Sequence, residues 1–141
     1  EIRSGKKCSA QMGVVDVMPT LCTLAGLTAP SGCVGEDFSP HAYGRPGPEP
    51  DAQLIMHISK ENASGGENHP APLFRGIRTP PYTYAVQANG PWLLFDNEKD
   101  PFQMQNLVGN PSEKRLQAQL HERLRMLLAQ SGDPFNLRPL T

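Results

Sequence analysis

The sequence predicts an α+β module, a four-stranded antiparallel sheet with a C-terminal helix packed on one face. Three observations carry this prediction. Four short runs rich in β-branched and aromatic residues follow one another between residues 53 and 96, separated by turn signals. After them comes a stripe of Leu116, Leu120, Leu124, Leu127 and Leu128 at helical spacing. Sheet and striped helix each need an apolar partner, and the simplest partner is the other.

The first element is a helix over about 16–26. Asp16 stands as its N-cap and Pro19 lies in the first turn. Val17, Leu21, Leu24 and Ala25 share a face, and Gly26 is the stop. Leu27, just past that glycine, can fold back onto the helix. Residues 28–51 hold nine prolines and glycines, too many for a long regular element, so they read as a connector with one short turn. Gln53 to Ser59 reads as a strand buried on both sides, with Leu54, Met56 and Ile58 on one face and Ile55 and His57 on the other. Lys60 to Pro72 is a polar loop, expected to be the most mobile segment. Leu73 to Thr79 and Tyr82 to Gln87 read as strands around the Pro80-Pro81 corner, and Trp92 to Asp96 as the fourth. Asn89-Gly90 between the last two predicts a type I′ hairpin centred on that pair. Asn110 then caps a helix over about 111–131, with Pro111 at its first position, Glu113 three residues after the cap and Gly132 beyond its end.

Composition excludes several functions. With 13 Lys and Arg against 14 Asp and Glu the net charge is -1, and no basic face or stripe suggests nucleic acid. The longest apolar runs, Trp92 to Phe95 and Met126 to Ala129, are far short of the ~20 residues that span a membrane, so a soluble chain is expected. Pro (15) and Gly (13) are about a fifth of the 141 residues, which makes the chain loop-rich. It starts without Met at Glu1, and an upstream portion is expected to be missing. Cys8, Cys22 and Cys33 lack a Cys-x-x-Cys pair and read as buried or free thiols.

Few residues carry chemistry. No nucleotide-binding glycine pattern is present. Asp96 to Asp100 is acidic but lacks the glycine and distal glutamate of a calcium loop. His41, His57, His69 and His121 share no metal spacing, and His121 is expected on the surface side of its helix. No metal ligand or catalytic residue is assigned. His57 is the one candidate for substrate binding, because it ends a strand and opens a polar loop with Ser59, Lys60, Glu61 and Asn62. Asn62-Ala63-Ser64 is a glycosylation sequon that matters only in a secreted protein.

Taken together the pieces resemble the C-terminal third of a type I sulfatase, in the alkaline-phosphatase superfamily. Val14-Val15-Asp16-Val17-Met18-Pro19-Thr20-Leu21 with Leu24-Ala25-Gly26-Leu27 is similar to that family's V-D-x-x-P-T-L-x-x-L-A-G-L helix. Gly35 to Pro40 resembles its connector. Arg75-Gly76-Ile77-Arg78-Thr79 with Tyr82-Thr83-Tyr84 resembles its R-x-V-R-T-x-x-Y-K-Y strand pair. Leu94-Phe95-Asp96 through Asp100-Pro101 to Asn106-Leu107 resembles its L-Y-D-L-x-x-D-P-x-E-x-x-N-L element. Thr83 stands where a Lys is common, and Phe102-Gln103 replaces the usual Gly-Glu.

The resemblance implies a parent enzyme that hydrolyses sulfate esters with a formylglycine nucleophile and a divalent cation, usually calcium. The nucleophile motif C/S-x-P-x-R is absent around all three cysteines, Lys6 and Lys7 sit too close to Asp16 to be the family's catalytic lysine, and the family's metal ligands fall upstream of Glu1. The resemblance thus implies a segment that binds no cofactor itself and is inactive alone. Residues 1–45 would be the end of a large α/β sulfatase domain, namely the helix and connector. Residues 46–141 would be the C-terminal subdomain, which lines the pocket rim. Implied partners are the upstream catalytic domain and a small-molecule or glycan sulfate ester. A phosphodiesterase or phosphonate monoester hydrolase of the same superfamily is the alternative, as is a non-catalytic interaction module bound through Pro70, Pro72, Pro80 and Pro81.

Overall fold

The computed structural model describes residues 2, 5, 7–58 and 72–140. Its backbone divides into two units, Glu1–Gln53 and Leu54–Thr141.

In the first unit a 3-10 turn, Val14–Asp16, runs into helix α1, Val17–Leu24. Gly26 takes a left-handed φ of 72°. That lets Leu27 N–H reach the Cys22 carbonyl (2.8 Å) and Gly26 N–H the Thr23 carbonyl (3.0 Å), so two of the carbonyls left over at the helix end are used. Asp16 departs from the expected N-cap role. Its backbone is already helical (φ -83°, ψ -15°) and its carboxylate makes no cap bond to α1. The carboxylate instead accepts from Gly13 N–H (2.7 Å), Glu36 N–H (2.8 Å) and Gln53 Nε2 (3.3 Å), which ties α1 to the connector at Glu36 and to the residue that opens β1. Thr20 Oγ1 donates to the Asp16 carbonyl (2.6 Å) and accepts from Phe38 N–H (2.9 Å). The connector passes so close that a Cβ on Gly35 would run into the Val15 carbonyl. Its one helical turn is α2, Ser39–Ala42.

The second unit is the expected α+β module. Strands β1 (Gln53–His57), β2 (Phe74–Arg78), β3 (Tyr82–Gln87) and β4 (Gly90–Asp96) form one sheet in chain order. Antiparallel pairing places Ile77 opposite Tyr84 and Tyr84 opposite Leu94. These three and Val86 meet Leu120, Leu124 and Leu128 of helix α3, Lys114–Ser131, in a closed core. Gly76 is required where β2 meets β3, because a Cβ there would lie 2.5 Å from the Tyr84 carbonyl oxygen. A 3-10 turn, Pro111–Glu113, precedes α3, with the Asn110 side chain accepting from Ser112 N–H (3.1 Å). Gly132 (φ 67°) ends the helix, and the tail returns to lay Phe135 and Leu137 against the core.

Three expectations are corrected. β1 is not buried on both sides: it is the edge of the sheet, and Met56 is exposed while Leu54 and Ile55 are half-buried. The hairpin turns on Ala88-Asn89, with Gln87 paired to Gly90. Among the described residues Gln103 is the non-glycine at positive φ, so the turn is not type I′, and the left-handed position is Gly90, inside β4. Trp92 is then the extra residue of a bulge, since Ala85 pairs with Leu93 and Val86 with Pro91. Lastly, His121 is buried. Spaced three and seven residues from Leu124 and Leu128, it shares their face.

Candidate functional site

The candidate site is built around the end of β1. His57 is the last residue of that strand, and Pro72 is the first described residue after it and Ile58. The His57 ring Nδ1 lies 3.3 Å from the Pro72 carbonyl, so the imidazole ties the strand end to the chain that re-enters the sheet. A carbonyl only accepts, so Nδ1 carries the proton, and the lone pair of the neutral ring sits on Nε2. The ring stacks on Phe74 (centroids 6.5 Å apart, planes at 25°), and Phe74 in turn meets Trp92 at 5.5 Å. An aromatic row thus runs from β1 across the sheet to the β4 bulge.

Behind this row lies Arg75. Its guanidinium donates through Nη1 to the carbonyls of Phe74 (3.1 Å) and His57 (3.4 Å), and through Nε to Asp133 Oδ2 (2.8 Å). Its plane also covers the Phe135 ring at 5.1 Å. Burial pushes the Asp133 carboxyl up, but the Arg75 hydrogen bond, the Phe135 N–H and the Arg75 charge together hold it below the usual carboxylate range. The sequence pattern shows Arg75 only as part of a strand motif. Its partner lies 58 residues away, and no local periodicity could have joined them.

The other histidines have structural places. His41 Nε2 bonds the Pro48 carbonyl (2.8 Å). His121 Nε2–H donates to the Arg138 carbonyl (2.9 Å), and its Nδ1 accepts from the Tyr84 hydroxyl (2.8 Å). Burial lowers the His121 pKa and raises that of Tyr84, which suits a neutral imidazole bridging core and tail. His69 and the sequon residue Asn62 lie outside the described residues, as does the 60–72 loop except for Pro72.

A second polar cluster forms at the Pro80-Pro81 end of the sheet. Arg78 Nη1 donates to Thr83 Oγ1 (2.6 Å) and Asn97 Oδ1 (2.7 Å), and Gln103 Nε2 reaches the same two oxygens at 3.0 and 2.9 Å. Gln103 achieves this from a left-handed φ of 55°. The Asp96 carboxylate is occupied by the N–H groups of Glu98 and Lys99 and by the Lys99 ammonium (2.9 Å), which makes the acidic stretch a self-contained turn. Among the described residues no three His, Cys, Asp or Glu side chains group to hold a metal ion, and no helix is long and apolar enough to cross a membrane. Cys8 is exposed, Cys22 and Cys33 are half-buried, and all three are free thiols.

Comparisons with known proteins agree with the fold. The chain is 37% identical over 136 residues to an ulvan-active sulfatase of Formosa agariphila, covering 96% of this chain and 26% of the relative. It is 29% identical over 123 residues to a Δ4,5-hexuronate-2-O-sulfatase of Bacteroides thetaiotaomicron, covering 86% and 24%. It superposes on a phosphonate monoester hydrolase of Agrobacterium radiobacter with a TM-score of 0.70 at 25% identity, covering 90% of this chain and 27% of that one. The chain therefore spans about a quarter of the length of the relatives it matches. The family described as N-sulphoglucosamine sulphohydrolase, C-terminal, matches residues 1–130. With the sheet, the helix and the motif order all in place, the chain belongs to this family, the C-terminal part of a type I sulfatase.

Proposed function

We propose that this chain is the C-terminal segment of a hydrolase that cleaves sulfate esters on glycans, supplying subdomain packing and one rim of the pocket but not the nucleophile. The observation that supports this is the match to a sulfatase along 96% of the chain and only 26% of the relative. The segment 1–45 is the end of the large domain in this reading. Exposed Val14, Met18 and Leu21 support it, because they form an apolar surface that a neighbouring domain would cover.

In this reading calcium and formylglycine would be held by the intact enzyme outside the described residues. The role of this chain is recognition at the rim. With Nδ1 committed to Pro72, His57 Nε2 is open among the described residues to accept from a sugar hydroxyl. That contact is made equally in ground and transition states, so it lowers KM rather than raising kcat.

In the full-length protein, His57→Ala is expected to raise KM for ulvan oligosaccharides by about 2- to 13-fold, the worth of one neutral hydrogen bond. Arg115→Ala on the exposed side of α3 is the control and should change neither constant. Lost thermal stability with unchanged kinetics would make His57 a structural residue. A phosphonate monoester hydrolase is the second reading, favoured by the likeness to the Agrobacterium enzyme. Relative turnover of 4-nitrophenyl sulfate and 4-nitrophenyl phenylphosphonate by the full-length protein separates the two.

A further inference from the structure

We infer that Asp133, in the tail beyond α3, is a positioning residue for His57 and acts through Arg75; the consequence for substrate rests on the role of His57 given above. Arg75 Nη1 donates to the His57 backbone carbonyl at 3.4 Å while also holding the Phe74 carbonyl at 3.1 Å. An arginine fork is useful for this only when its plane is fixed. Asp133 fixes it from one side at 2.8 Å, and the Phe135 ring fixes it from beneath at 5.1 Å. Only 11% of the Arg75 side chain and 10% of the Asp133 side chain reach solvent, so water competes little for the pair.

Asp133 is itself held on a rigid support. Its N–H bonds the Leu128 carbonyl (3.0 Å) directly after the left-handed Gly132, and its Oδ1 accepts from Phe135 N–H (2.8 Å). A continuous set of bonds therefore leads from the end of α3 to the backbone of His57, while the His57 ring is held from the other side by Pro72.

The test uses the full-length protein with Asp133→Asn, which keeps shape and removes charge, and Arg75→Lys, which keeps charge and removes the fork. Hydrogen exchange is followed in peptides covering residues 53–58 and α3, and KM and kcat are measured on ulvan oligosaccharides. Both variants are expected to speed exchange at residues 55–58, leave α3 protected, and raise KM about 2- to 10-fold with kcat unchanged. Unchanged exchange at 55–58 in both variants overturns the positioning role, and if His57→Ala still raises KM the substrate role of His57 survives that failure. Faster exchange at 55–58 with KM unmoved in Asp133→Asn, Arg75→Lys and His57→Ala upholds the positioning contact and overturns the substrate role. Faster exchange spread equally over α3 would mean general loosening, and it too overturns the proposal.

Discussion

The two units of the chain are held together by different physics. Leu54–Thr141 closes a core in which Ile77, Tyr84, Val86, Leu94 and Leu124 are fully buried. In Glu1–Gln53 the carboxylate of Asp16 and the hydroxyl of Thr20 gather the backbone of the connector at Glu36 and Phe38. Phe38 is buried, but many of this unit's other large apolar side chains point outward, with Val14 91% and Leu27 65% exposed. The first kind of stability belongs to the unit alone. The second fixes a chain path around few buried apolar side chains.

Leu120→Asp is expected to break the core-built unit outright, since it places a carboxylate among Leu116, Leu124 and the sheet. The milder Leu120→Ala should cost about 2 to 5 kcal/mol by denaturant melting. A Leu120→Asp protein that melts like the parent would show that the α3 face is not the core. Asp16→Ala should have a smaller effect, about 1 to 3 kcal/mol, because it orphans the N–H groups of Gly13 and Glu36. Its signature is faster exchange at residues 34–38 while α3 stays protected. Smallest of all, Val14→Ser in this chain alone should shift stability by no more than about 0.5 kcal/mol. The same substitution in the full-length protein sharpens the contrast, as a loss well beyond that is expected if another domain covers the face.

Elements specified by local pattern were legible from the residues. β3 spans Tyr82–Gln87 as expected, and α3 with its preceding turn fills the predicted interval, because alternation and a leucine stripe declare themselves within a few residues. The hairpin was misplaced by one residue. Asn-Gly marks positive φ, but here one left-handed residue, Gly90, supplies it from within the strand, and the Trp92 bulge absorbs the offset. His121 was misread because a polar side chain was assumed to face water, whereas the Tyr84 hydroxyl and the Arg138 carbonyl satisfy both ring nitrogens inside. His57 was singled out as a candidate from its place between strand and loop. Arg75 and Asp133 could not be, because side chains that meet across the sheet and tail leave no mark in either local pattern.

The cluster at Arg78 also changes how two of the departures from the sulfatase pattern should be counted. Thr83 and Gln103, which stand where the resembled pattern has Lys and Glu, bond each other at 3.0 Å, so the two departures from that pattern meet in one place. Restoring only the lysine would set a second cation beside Arg78 with no new anion. Restoring only the glutamate would remove the amide hydrogens that now serve Thr83 and Asn97. Each single change therefore unbalances the cluster, and the double change Thr83→Lys with Gln103→Glu is expected to be less destabilising than the sum of the two single changes.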